Sequence, residues 1–214
     1  MMLKLYSAWR ASAPYRVRIA LNLKGLPFEI APIDLVAGEQ GGEAYRAHNP
    51  QCLVPTLDIG GAELTQSLAI LEWLEETHPE PALLPADPLD RARVRAMCGV
   101  VACDIHPLNN LRILKAVAAL GADQPARDAW VKRWIGDGFT ALEAMIARHG
   151  GAFAFGDAPT MADCLLVPQV YNANRFGVDL APYPKLAAAA ERARRHPAFE
   201  AAHPNHHPDA KEIL

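Results

Sequence analysis

Tyr6-Ser7-Ala8-Trp9-Arg10-Ala11-Ser12-Ala13-Pro14-Tyr15-Arg16-Val17-Arg18-Ile19-Ala20-Leu21 reads as a short strand, a turn whose small residues carry one hydroxyl at Ser12, and an arginine-bearing helix. A turn that feeds a helix N-terminus collects unpaired backbone N–H groups and the positive end of the helix dipole, so it suits a thiolate or a carboxylate. Ser12 sits where that field is strongest. The same residues also fit an ordinary strand-to-helix junction with a solvated arginine face, and the rest of the chain has to separate the two readings.

Around this junction, residues 1–78 mix the two periodicities. Leu3 to Ser7 is strand-like, Tyr15 to Lys24 helical with Gly25 as its stop, and Phe28 to Ile33 strand-like again, which makes a βαβ unit. Gly38-Glu39-Gln40-Gly41-Gly42 has neither dinucleotide-binding nor P-loop spacing, so it predicts a flexible loop before a helical turn at Ala44 to Ala47. Strands at Thr56 to Ile59 and Ala62 to Thr65 flank a Gly60-Gly61 hairpin, and Ser67 caps a helix over Ser67 to Thr77. The proline-rich run His78 to Pro88 predicts a linker, residues 79–88, between a first domain at 1–78 and a second at 89–214. Beyond it the pattern is helical over 89–120, 125–149, 161–176 and 184–195, and the last dozen residues are expected to be loosely ordered.

Thr160-Met161-Ala162-Asp163 has the capping-box arrangement, with the Thr hydroxyl and the carboxylate each satisfying a first-turn N–H. Its role is structural, and loss of Asp163 should cost about 1 kcal/mol. The apolar run behind it makes a central helix of the second domain.

Composition narrows the partners. The 214 residues are 51% hydrophobic and 21% charged with net charge −3, which describes a globular protein with a sizeable core and no basic field for nucleic acid or an anionic membrane. No apolar run is long enough to span a bilayer and Met1-Met2 lead directly into a strand, so the expected location is cytoplasmic. Cys52, Cys98, Cys103 and Cys164 lie singly and are expected to be buried free thiols, Cys52 being the exception to watch. His203, His206 and His207 are interrupted by Pro204 and Pro208, so no metal is expected.

A small mixed domain, a proline-rich linker and an all-helical domain resemble the glutathione transferases. Val54-Pro55 before a strand resembles that family's cis-proline corner, where the Val54 backbone would pair with the cysteinyl unit of glutathione. Gln66-Ser67 resembles its γ-glutamyl site, where a helix N-terminus and the Ser67 hydroxyl hold a carboxylate. Tyr15 to Leu21, Gln66 to Ile70, Leu83-Leu84-Pro85, Val167 to Val170, Arg175-Phe176 and Asp179 to Pro184 resemble blocks of the zeta class, the maleylacetoacetate and maleylpyruvate isomerases, across nearly the whole chain. The resemblance implies an α/β plus all-α architecture, an N-terminal thioredoxin-like βαβ-αββα domain followed by a helical glutathione transferase domain. It further implies glutathione as cofactor, a small dianionic keto acid as substrate, and a homodimer.

The resemblance also assigns roles. It places Arg10 and Arg175 at the chemistry, where Ser12 joins them by elimination, and the expected glutathione site comprises Ser12, Gln40, Val54, Pro55, Gln66, Ser67, His106, Asn110 and Arg112. One departure matters: where the zeta turn usually carries Ser-Ser-Cys, this chain has Ala11-Ser12-Ala13, which leaves Ser12 as the motif's remaining hydroxyl with Tyr6 behind it. Arg16 and Arg18 are expected to be surface or ion-pair residues. Turning a cis alkene trans requires a removable nucleophile; a thiolate adds, the bond rotates, and departure restores the alkene. The implied activity is therefore isomerisation of maleylacetoacetate in tyrosine and phenylalanine breakdown. Maleylpyruvate as substrate, a transferase acting on small α-halo acids, and a non-catalytic glutathione-binding protein stand as alternatives.

Overall fold

The structure, a computed structural model, describes residues 2–210. Two compact units make it up: the chain up to Ala82 together with the chain from Arg195 onward, and Leu83–Arg194.

The first unit runs β1 (Leu3–Ser7), α1 (Ser12–Leu23), β2 (Phe28–Pro32), a 3-10 turn (Glu39–Gly41), α2 (Glu43–Arg46), β3 (Thr56–Asp58), β4 (Glu63–Thr65) and α3 (Ser67–Thr77). The sheet order is β2-β1-β3-β4, with β2 parallel to β1 and β3 antiparallel to it. Leu5 therefore faces Ile30 on one side and Leu57 on the other, and Leu5 and Leu57 are fully buried with Val17, Ile19 and Leu21 of α1 and Ile70, Leu71 and Leu74 of α3. The β3–β4 hairpin turns through Gly60 and Gly61, both at positive φ that only glycine adopts freely.

Helix α1 begins at Ser12, earlier than its apolar repeat suggests, and it is covered on nearly all sides. Arg16 and Arg18 are each 2% exposed, which corrects their expected surface placement. Arg18 donates from Nη1 to Ser7 Oγ at 2.9 Å, from Nη2 to Trp9 O at 3.1 Å and from Nε to Ala202 O at 3.1 Å. At the other end of α1, Lys24 Nζ reaches Glu75 of α3 and the Pro81 carbonyl, both at 2.7 Å. Buried charges persist only when paired in this way.

In the second unit, α4 (Pro88–Gly99) runs into a π turn (Val100–Ile105) and a 3-10 turn (His106–Asn109), followed by α5 (Leu111–Ala119), α6 (Gln124–His149), α7 (Met161–Arg175) and α8 (Pro184–Arg194). The helix expected across 89–120 is thus in pieces. Pro107 has no N–H to continue the ladder, and Asn110 starts α5 anew by accepting from the Arg112 amide at 3.1 Å. The widened π turn lies against α6 at Gly138, where an added Cβ would come 2.3 Å from Ile105 Cδ1.

Two boundaries differ from expectation. Residues 79–88 are no loose tether: Pro81 is held by Lys24 in the first unit, while Leu83 and Leu84 are buried in the second, with the Leu83 carbonyl accepting from the Met161 amide at 2.8 Å. The second unit ends at Arg194 instead of running through 214, and α9 (Pro197–Ala201) with a 3-10 turn (Pro204–His206) packs into the first. The loosely ordered tail is corrected for 203–210, where Pro204 and His207 are buried; residues 211–214 lie outside the described residues. All four cysteines are free, but Cys103 is exposed and Cys52 half-buried, so burial holds for Cys98 and Cys164 alone. Among the described residues no helix is long and apolar enough to cross a membrane.

The capping box forms as expected. Asp163 is fully buried, and its carboxylate accepts from the Thr160 amide at 2.8 Å and, beyond its own helix, from the Ala154 amide at 2.8 Å. Asp163→Ala strands two buried backbone donors and removes the acceptor of the Thr160 hydroxyl, so the expected loss rises from about 1 to about 3 kcal/mol, read by urea denaturation. Burial pushes the carboxyl up from 3.8 to about 6 against these hydrogen bonds, so folding favours its protonated form. This contribution is fully present below pH 4 and disappears as pH rises through 6. The stability difference between wild type and Asp163→Asn should shrink across that window.

Candidate functional site

The turn after β1 closes with the Ala11 amide donating to the Ala8 carbonyl at 3.1 Å, and the first helical bond of α1 runs from Tyr15 N to Ala11 O at 3.2 Å. Between these bonds the Ser12 and Ala13 amides have no acceptor among the described residues. Ala11 occupies the N-cap and offers no side-chain oxygen. Ser12 is 4% exposed, and its hydroxyl likewise has no partner among the described residues. Unpaired donors at a helix N-terminus form an anion site in search of its anion. Beside it, Arg10 stacks over the Trp9 ring at 4.3 Å and makes no ion pair with a described carboxylate.

A second bare helix start lies at α3. Gln66, its N-cap, is held at φ 65 and ψ 114, a conformation costly for a residue with a side chain. The Ser67, Leu68 and Ala69 amides have no acceptor among the described residues, and the first backbone bond comes from Ile70 to Gln66 at 3.0 Å. Arg16 Nη1 donates to Ser67 Oγ at 3.1 Å. That bond fixes the 5%-exposed serine and leaves the hydroxyl proton to be donated elsewhere, with a guanidinium behind it.

The Val54–Pro55 bond is cis, and neither the Val54 N–H nor its carbonyl is hydrogen-bonded among the described residues. The preceding carbonyl, Leu53 O, is clamped by Tyr45 Oη at 2.8 Å and Asn49 Nδ2 at 2.6 Å, which holds the Val54 peptide in place. Gln66 Nε2 donates to Gln51 Oε1 at 2.7 Å, so α3 and this loop are joined. The structure therefore links Ser12, Val54, Pro55, Gln66 and Ser67 through Arg16 and Gln51. Gln40 lies in the 3-10 turn, its Oε1 buried and without a partner among the described residues.

Tyr6 is engaged elsewhere. Its hydroxyl meets His48 Nε2 at 3.0 Å, and burial, followed by the Glu63 charge, raises its pKa.

The remaining expected residues belong to the second unit. His106 opens the 3-10 turn, Asn110 caps α5 with its side-chain oxygen, Arg112 is exposed in the first turn of α5, and Arg175 is exposed at the end of α7. The neighbouring Asn109 carries both side-chain polar atoms buried without a partner among the described residues. Asn109, Asn49 and Tyr45 carry no local sequence signal for these roles, and the role of Arg16 emerges only from the fold. The burial of Arg16 alone had a signal, since apolar residues on both sides of Arg16 and Arg18 leave α1 no polar face.

Residues 12–77 match the family described as glutathione S-transferase, N-terminal domain, and residues 112–195 its C-terminal domain. The chain is 51% identical over 203 residues to maleylacetoacetate isomerase of Rhizobium meliloti, covering 94% of this chain and 95% of that one. It superimposes with a TM-score of 0.95 on a holo maleyl pyruvate isomerase, a bacterial glutathione S-transferase of zeta class, at 51% identity and covering 97% and 100% of the two chains. With maleylacetoacetate isomerase of Anaeromyxobacter dehalogenans, solved with glutathione in its active site, the TM-score is 0.90 at 47% identity, covering 98% of each. The chain belongs to the glutathione S-transferase family, within its zeta class.

Proposed function

We propose that the protein is a glutathione-dependent cis–trans isomerase that converts maleylacetoacetate to fumarylacetoacetate. The observation that carries this reading is the pair of bare helix starts, α1 with Ser12 and α3 with Ser67, joined by the Arg16–Ser67 bond. Glutathione matches this donor set group by group. Its γ-glutamyl carboxylate suits the α3 amides and the Ser67 hydroxyl, its cysteinyl peptide suits the unpaired Val54 N–H and carbonyl, and its sulfur suits the Ser12 hydroxyl with the Ser12 and Ala13 amides. Gln40 Oε1 supplies one more unpaired acceptor.

Bound glutathione supplies a sulfur nucleophile that adds to the activated alkene and leaves again, so that it is regenerated in each turnover. The protein's part is electrostatic. A free thiol of pKa about 8.5 is only a few per cent ionised at neutral pH, and the α1 N-terminus with the Ser12 hydroxyl stabilises negative charge there. Arg10, stacked on Trp9 and free of described carboxylates, holds a substrate carboxylate, and Arg175 is the second guanidinium that the family resemblance assigns to that task. His106, Asn110 and Arg112 keep their assignment as glutathione contacts contributed within a homodimer, and the compartment is the cytoplasm.

A maleylpyruvate substrate is the second reading, favoured by the equal identity to relatives of both names and by the cationic His106-to-Arg112 segment. Turnover of each compound with glutathione far below substrate concentration decides between them; glutathione consumed one-for-one with substrate would instead mark a conjugating transferase.

Two variants separate the roles of the two helix starts. Ser12→Ala should raise the thiol pKa of bound glutathione and lower kcat about a hundredfold with little change in Kd. Ser67→Ala should raise the Kd for glutathione about tenfold, the loss of a charge-assisted hydrogen bond, while the bound thiol titrates as in wild type. Ultraviolet titration and calorimetry read both, and a Ser12→Ala enzyme of unchanged kcat would remove Ser12 from thiol activation.

A further inference from the structure

The chain after α8 climbs α1 roughly one helical turn at a time. Ala198 O accepts from Asn22 Nδ2 at 3.0 Å, Ala202 O accepts from Arg18 Nε at 3.1 Å, and the His203 ring stands edge-on to Tyr15 at 6.3 Å between centroids. The climb ends at β1, where His207 Nε2 lies 3.0 Å from Ser7 Oγ. Arg18 Nη1 already donates to that oxygen, so the Ser7 proton goes to His207 Nε2 and the imidazole proton sits on Nδ1, against the Asp209 carboxylate. The arrangement is a Ser–His–Asp chain, but Ser7 is fully buried and already accepts from a guanidinium, so no substrate carbonyl reaches it.

Its position gives it a different use. Ser7 ends β1, and the next residues are Ala8, whose carbonyl closes the turn, and Trp9, whose carbonyl accepts from Arg18 Nη2 at 3.1 Å. Arg10, Ala11 and Ser12 follow at once. One guanidinium thus grips the turn at Ser7 and at Trp9, and His207 sets the orientation of the hydroxyl on which that grip depends.

We propose that His207, backed by Asp209, is a positioning residue for the thiol site: through Ser7 and Arg18 it fixes the Trp9–Ser12 turn, so that the C-terminal tail is part of the working site. This rests on the isomerase reading above. Burial and then the Arg18 charge lower the His207 pKa from 6.5, with Asp209 opposing, which keeps the ring the neutral acceptor that the Ser7 hydroxyl needs. The three tail contacts below His207 already dock the segment on α1, so removal of the imidazole alters the turn more than the docking.

The test uses the full chain. His207→Phe should lower kcat about tenfold and raise the thiol pKa of bound glutathione by about one unit, while the Kd for glutathione, set at Val54, Gln66 and Ser67, stays within twofold of wild type (about 0.4 kcal/mol). His207→Gln, which keeps an acceptor near Nε2, should restore both. Should His207→Phe not fold, Asp209→Asn is read in the same way, with a thiol shift of the same sign. A folded variant with wild-type kcat and thiol pKa, whatever its melting temperature, overturns the proposal. A wild-type enzyme that binds glutathione but neither isomerises either keto acid nor lowers the thiol pKa overturns the isomerase reading, and this proposal with it.

Discussion

A helix covered on nearly every side cannot hold two guanidinium groups unless each is given acceptors, and α1 is such a helix. Its arginines are two residues apart, so they point to different faces and recruit different elements. Arg16 takes Ser67 at the start of α3; Arg18 takes the end of β1, the turn after it, and the C-terminal tail. With Lys24 binding Glu75 and the Pro81 carbonyl at the far end, α1 organises the first unit through charge as well as apolar contact. An apolar residue at 16 or 18 could fill the same space. It could not tell the neighbouring elements where to stop.

The same constraint shapes the candidate site. Each arginine ends beside a stretch of backbone whose donors are unpaired, Arg16 at the α3 start and Arg18 at the turn before α1. Most proteins close such helix starts with a side-chain cap, as this chain does at Asp87, Asp123 and Thr160 in the second unit. In the first unit neither α1 nor α3 has one. The four-residue α2 is likewise uncapped, but α1 and α3 are the two long helices of the first unit, and open starts there, with the strained Gln66 backbone at one of them, suit the ligand proposed above.

Local signals were legible in the sequence wherever period and punctuation agreed. The α3 span Ser67–Thr77, the capping box at Thr160 and Asp163, and the hairpin over Gly60-Gly61 follow from neighbours in the chain, and the structure places them there. Longer-range features were not legible. A proline-rich run looks like a linker whether or not Lys24 later binds one of its carbonyls. A histidine-rich tail between prolines looks loose until Ser7, two hundred positions earlier, supplies a partner. Arg16 and Arg18 are buried although a charge taken by itself predicts the surface. The absence of any polar face around it was the informative observation.

Ala11-Ser12-Ala13, where the zeta-class resemblance leads one to expect Ser-Ser-Cys, has a physical consequence at the N-cap. Ala11 holds that position with φ −72 and ψ 127, the extended geometry from which a serine hydroxyl ordinarily turns back to accept a first-turn N–H. A serine there could serve the helix or the sulfur, and in the free enzyme it would serve the helix. Alanine removes the competition at a cost of about 1 kcal/mol to the helix start and leaves the Ser12 and Ala13 amides to whatever anion arrives. If the glutathione sulfur binds there as proposed, the unpaired amides and the positive end of the helix dipole interact more strongly with thiolate than with thiol, and by linkage that difference lowers the bound thiol pKa. An N-cap without a hydroxyl is therefore compatible with thiol activation, provided that Ser12 and the turn beneath it are held still, and Arg18 and Ser7 do the holding.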